Sequence, residues 1–179
     1  QVLINQVTLN KITNPGSGSP NRLLYTRWIG GGLRNPQGVI ATTLNLGDRP
    51  FAVDISSVND VYITRLDAAA MQRVDLPAFA FSGVVSVGSI PTQVAFNPAG
   101  TTAWVTNQFS HNVGVVDVAT NTQVRTIPIP GDPFDVMTSA NGATIYVSSN
   151  NANVYAIDAA TDQILATLPL GGTITNNFA

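Results

Sequence analysis

Three features of the sequence predict an all-β protein built of β-propeller blades: a repeat of about 42 residues, four short apolar runs within each repeat, and a near absence of charged helix formers. Among 179 residues there are ten acids, all Asp, and eight bases, of which only Lys11 is a lysine. The charged fraction of 10% is far below the roughly one quarter of an ordinary globular chain. Glu is absent while Val, Thr and Asn abound, a mixture that disfavours helices and suits pleated strands. The length suffices for a real core, since roughly 70% of the unfolded surface can be buried at this size.

The repeat is clearest in its later copies. Pro91 recurs as Pro133, Val94 as Val136, Trp104 as Tyr146 and Asp117 as Asp158, at steps of 42, 42, 42 and 41. An earlier copy sets Pro50, Val53, Tyr62 and Asp75 at 41, 41, 42 and 42 residues before their counterparts. A degraded copy opens the chain: Asn14-Pro15-Gly16 stands where Asn97-Pro98-Ala99-Gly100 stands later, and Leu24-Tyr25-Thr26-Arg27 echoes Tyr62-Ile63-Thr64-Arg65. The expected organisation is therefore a degenerate blade over 1–46, blades over 47–88, 89–130 and 131–170, and a spare strand over 171–179.

Each element of a unit has its own local cause. In the unit 89–130, Pro91 to Phe96 reads as a first strand closed by the turn Asn97-Pro98-Ala99-Gly100. Ala103 to Asn107 follows, with Trp and Val suited to a half-buried pleat. Val113 to Val118 is the third strand, and Gln123 to Ile129 the fourth, ending at a Pro/Gly break. Between them lies a tight turn where an Asp carboxylate can accept backbone N–H bonds. Asp75, Asp117 and Asp158 recur at this turn and are read as fixing it; Tyr62, Trp104 and Tyr146 are read as aromatics that pack blade on blade, and Pro50, Pro91 and Pro133 as markers of strand entry.

The tetrapeptide Trp104-Val105-Thr106-Asn107 is a conservative form of Tyr-Val-Thr-Asn, and Tyr146-Val147-Ser148-Ser149 is a looser one. With the flanking Pro-x-x-Val and Asp-x-x-Thr frames, the chain resembles the YVTN-type propeller repeat family over about residues 47–171. The resemblance implies an exported, surface-layer-associated or lactonase-like propeller, usually of about seven blades. It also implies a likeness to propeller subunits of periplasmic amine and nitrite oxidoreductases, without fixing one activity.

Composition excludes several function classes. A net charge of −2 without a basic cluster gives counterion release little to act on, so no nucleic-acid partner is expected. Zero cysteines exclude disulfides, thiolate metal sites and cysteine nucleophiles. No segment approaches the roughly 18 apolar residues of a membrane helix. The chain begins at Gln1 and is poor in Lys and Glu, the look of a processed, exported polypeptide, so an extracellular or cell-surface location is expected, with the periplasm as the other compartment.

Four units and one strand do not make a comfortable closed ring. An open arc would leave two apolar blade faces uncovered, more than a soluble monomer tolerates. The expected partner is a second copy of the chain, or further blades of a longer one. The tail carries strand-like Ile174 and Phe178, which could add to a sheet in an assembly, as a closed ring or a filament.

Catalytic candidates are sparse. His111 is the only imidazole, and although Ser110 adjoins it, neighbouring side chains on a strand or loop point apart and no nucleophile elbow is present. Asp132 and Asp135 flank Pro133 at the start of a blade, with Asp54 near the equivalent place, and such inward carboxylates are weak candidates for holding a cation. Gln93 and Ala95 occupy the matching positions in the unit between, so no ring of acids repeats. Gly30-Gly31-Gly32 before Arg34 lacks the Lys-Ser/Thr of a phosphate-binding loop. No cofactor is expected. These observations favour a non-enzymatic structural or interaction module; the alternative is a lactonase-like or amine-dehydrogenase-like propeller enzyme or subunit.

Overall fold

The computed structural model describes residues 6–13, 20–26, 42–46, 48–75, 78 and 80–171. Ile174, Phe178 and the Gly30–Gly32 run with Arg34 lie outside the described residues.

Strands β1 (Gln6–Thr13), β2 (Pro20–Thr26) and β3 (Thr42–Asn45) form a three-stranded antiparallel sheet of order β2-β1-β3. The next sheet comprises β4 (Pro50–Ile55), β5 (Asp60–Arg65), β6 (Ala70–Asp75) and β7 (Ala80–Ser86). It is followed by β8 (Pro91–Phe96), β9 (Thr102–Asn107), β10 (Asn112–Asp117) and β11 (Thr122–Pro128). The last holds β12 (Pro133–Thr138), β13 (Thr144–Ser149), β14 (Asn153–Asp158) and β15 (Ile164–Pro169). In each of these three sheets the strands neighbour one another in sequence order, the up-and-down arrangement of a propeller blade. The chain is all-β with the antiparallel four-stranded blades that its repeat predicts. The first sheet differs, with β1 at its centre. No helix among the described residues is long and apolar enough to cross a membrane.

The repeated residues have repeated geometric consequences. Each blade enters on a proline, and the ladder between first and second strands shifts register just after Pro50, Pro91 and Pro133. Proline has no N–H to give to a ladder, so the irregularity falls where pairing is weakest. A second irregularity recurs between third and fourth strands, at Arg73/Val74, Val115/Val116 and Ala156/Ile157. The first hairpin turns through Asn59, Gly100 and Gly142 in left-handed conformation. Each such turn is closed by a side chain that starts it: Ser56 Oγ accepts from Asp60 N, Asn97 Oδ1 from Thr101 N and Thr102 N, and Ser139 Oγ from Thr144 N.

The apolar residues are buried between blades. Tyr62, Met71 and Val85 of the β4–β7 blade pack with Val94, Phe96 and Val105 of the next. Trp104, Val113 and Val115 pack in turn with Val136, Ile145, Val147 and Tyr155. Each large side chain so buried contributes about 1.5–3 kcal/mol. Tyr62 and Phe96 rings stack 5.3 Å apart at an interplanar angle of 7°.

The face of the last blade turned away from its neighbour is different. Met137 pairs with Tyr146, and Tyr146 with Ala156, so these side chains share one face, as do those of Val154 and Leu168. The repeat predicts that Tyr146 packs like Tyr62 and Trp104. Instead it is 36% exposed where they are 0% and 2% exposed, and Leu168 is 61% exposed. The residue type is right for an interface, but no described sheet comes after it in the chain to cover it.

Candidate functional site

The first strands β4, β8 and β12 come together at one edge of their blades, tied by bonds that run between blades. Asp54 Oδ2 accepts from Phe96 N at 3.1 Å, and Thr138 Oγ1 donates to the Phe96 carbonyl at 2.9 Å. Thr92 Oγ1 donates to the Phe134 carbonyl at 2.7 Å. A groove of about 370 Å³ crosses these strands. Its polar lining is Asp54, Gln93, Asp135 and Thr138, and its apolar lining is Val53, Val94, Ala95, Val136 and Met137.

Asp54 is half-buried and its second oxygen accepts from Ile55 N at 2.8 Å. Burial pushes its pKa up, and the two backbone amides pull it back down. A carboxylate with both oxygens already engaged and its charged form disfavoured is a weak cation ligand. Asp135 is buried at 6% exposure, and one of its oxygens accepts from Val136 N at 2.9 Å. Gln93 Oε1 takes the same bond from Val94 N at 3.0 Å, because Gln93 and Asp135 occupy the same repeat position, two residues after the proline. Asp54 comes from a different position, four residues after its proline. Two of the three acids singled out in the sequence therefore share one groove although they do not share a repeat position.

The third acid lies elsewhere. Asp132 Oδ1 is 2.7 Å from His111 Nδ1, while its other oxygen accepts from Asn150 Nδ2. His111 sits in left-handed conformation with its side chain 63% exposed, and Ser110 Oγ accepts from Ser89 N. This joins two blades at their rim and brings no hydroxyl nucleophile to the imidazole. Among the described residues no group of three or more His, Cys, Asp or Glu converges to hold a metal ion.

Four of the arginines are engaged too. Arg49, Arg65, Arg73 and Arg125 pair with Asp67, Asp48, Asp60 and Asp162 respectively. None of them lines the groove. Of the turn acids, Asp117 Oδ1 accepts from Thr120 N and Oγ1, and Asp158 Oδ1 from Ala160 N, Thr161 N and Thr161 Oγ1. Those backbone and hydroxyl donors hold both carboxyls below the usual range. Asp75 ends β6 and is exposed, at the head of a turn that lies partly outside the described residues.

Sequence reasoning missed Gln93 and Thr138 in the groove, and missed a row of hydroxyls behind it. Thr64 Oγ1 donates to the Thr92 carbonyl at 3.3 Å and Thr106 Oγ1 to the Phe134 carbonyl at 3.1 Å, each from one blade to the first strand of the next. Ser148 is the third member of that row. The step of 28 residues between donor and acceptor was the available signal.

No family model matches the chain, and no curated protein is similar to it in sequence. Its fold is similar to that of hydrazine synthase from Kuenenia stuttgartiensis, with a TM-score of 0.64 and 24% identity over 66% of this chain. The likeness spans 35% of that chain, about a third of its length. At this identity it shows the propeller-like fold alone.

Proposed function

We propose that the chain is a non-enzymatic structural and interaction module of an exported propeller protein, acting at the cell surface or outside the cell. It associates through blade faces, with copies of itself or with further blades of a longer polypeptide. The observation that carries this reading is the uncovered apolar face of the last blade, where Tyr146 and Leu168, with Met137 beside them, stand in positions that both earlier blades bury. The repeat's resemblance to YVTN-type propellers supports export and a surface-layer-like setting, and a face-to-face contact of this kind can build either a closed ring or a filament. In the groove Asp54 and Asp135 each accept from the backbone amide of the residue that follows, which is the use of these acids that the structural reading gives them.

Sedimentation of the chain across a range of concentrations tests the reading. A mass that rises above 18.8 kDa supports association. A single 18.8 kDa species at every concentration contradicts self-association and leaves further blades of a longer polypeptide as the partner. The competing reading, a lactonase-like or amine-dehydrogenase-like enzyme, draws on the meeting of Asp54 and Asp135 in one groove. It requires that Asp54→Asn or Asp135→Asn abolish a hydrolytic or redox activity that the unaltered chain displays.

A further inference from the structure

The uncovered face of the last blade carries an unfilled hydrogen-bonding position as well as apolar surface. Ser148 is only 2% exposed, and its Oγ has no hydrogen-bond partner among the described residues. A buried hydroxyl without a partner carries an uncompensated desolvation cost. Its equivalents Thr64 and Thr106 each reach a carbonyl 28 residues further on, at Thr92 and Phe134, in the first strand of the following blade. The same step from Ser148 falls on Asn176.

The chain also leaves the last blade as it leaves the others. Val87 N donates to Ala69 O, Ile129 N to His111 O and Leu170 N to Ala152 O, each at 2.9 Å. After the first two of these bonds the chain reaches the proline of the next first strand four residues later. The turn from β13 to β14 is one residue shorter than its counterpart, Ser149 to Asn153 against Asn107 to Asn112. One extra residue between Leu170 and a following first strand would restore the step. Phe178 then stands 42 residues after Val136, at the position where Val94 and Val136 pack onto the blade before them.

We propose that residues 173–179 dock on the uncovered face of the last blade as the first strand of a further blade, with Phe178 over Tyr146 and the Asn176 carbonyl accepting from Ser148 Oγ. This rests on the reading of that face as a blade–blade interface and names its first occupant. One strand covers the inner part of the face and leaves the region of Leu168, 61% exposed, for the strands that complete the blade.

The chain has no cysteine, so a single introduced thiol reports on its own surroundings. Tyr146→Cys in the 179-residue chain is labelled with a thiol reagent, with and without Phe178→Asp. Docking predicts that labelling speeds up at least tenfold when Phe178 is replaced by Asp, at a rate independent of protein concentration. Equal rates in the two variants overturn the proposal. Protection that depends on protein concentration and persists in Phe178→Asp overturns it in favour of a second copy on the face, while leaving the association reading intact. Ser148→Cys serves as an independent reporter with the same expectation should Tyr146→Cys fail to fold.

Discussion

The Tyr62 hydroxyl donates to Asn121 Oδ1 at 2.8 Å, joining the second strand of one blade to the outer turn of the next. Asn121 is in left-handed conformation, which aims its amide at the neighbouring blade, and its Nδ2 also reaches the Val84 carbonyl. In the following blade Trp104 takes the tyrosine's place, and its indole N–H is buried without a partner among the described residues. Tyr146 then occupies the position with no described blade opposite it. One repeat position thus shows an interface fully made, partly made and open.

Tyr62→Phe is expected to lower stability by about 1 kcal/mol, the worth of one net hydrogen bond, with the ring packing kept. Tyr62→Ala should cost about 3–5 kcal/mol, because it also removes the ring stacked on Phe96. Denaturant unfolding followed by tryptophan fluorescence measures both.

Burial pushes the Tyr62 phenol up to about 12. A phenol with a folded pKa above its unfolded value, about 10, contributes stability that is fully present below pH 10 and is lost as pH rises through 12. Alkaline spectrophotometric titration should therefore show one tyrosine ionising late, and that late step should vanish in Tyr62→Phe. A Tyr62→Phe titration identical in shape to that of the unaltered chain contradicts this.

Thr106→Val keeps shape and removes a hydroxyl that bridges Gln93 N and the Phe134 carbonyl. Gln93 N loses its acceptor while the Phe134 carbonyl keeps the bond from Thr92 Oγ1, so the expected loss is about 1–2 kcal/mol. An exposed control, Thr101→Val, loses only a turn contact with Asn97 Nδ2 and should change stability by less than about 0.5 kcal/mol.

Much of this fold was legible because the repeat reports on itself. A proline every 42 residues or so marked strand entries, and Asp117 and Asp158 marked turns, because those demands are local and recur in each unit. The groove was only half legible. Asp54 and Asp135 stood out as acids near a strand start, but their meeting depends on which neighbouring blade each faces, a relation between units that a within-unit pattern does not encode. The bond from Asp132 to His111 crosses from one unit to the next and was invisible for the same reason. Tyr146 shows the converse: its identity announced an interface, while its exposure depends on whether another sheet stacks against the last blade.

Acid should weaken the outer turns. The Asp117 and Asp158 carboxyls are held below their usual range chiefly by the amides of Thr120 and Thr161, so the stability they contribute is present above the unfolded pKa, about 4, and is lost as pH falls through the lower folded value. The double variant Asp117→Asn with Asp158→Asn should melt lower than the unaltered chain at neutral pH and show a shallower further loss on acidification from about pH 4 to about pH 2. Parallel melting-temperature curves for the two proteins contradict the assignment.

The claim on which the account turns is that the face bearing Met137, Tyr146 and Leu168 is an interface through which copies of the chain associate. Molar mass by light scattering, on the unaltered chain and on Leu168→Asp, tests it most directly. The account predicts a multiple of 18.8 kDa for the former and a shift toward 18.8 kDa for the latter. An 18.8 kDa mass for both proteins, or one unchanged multiple for both, would contradict it.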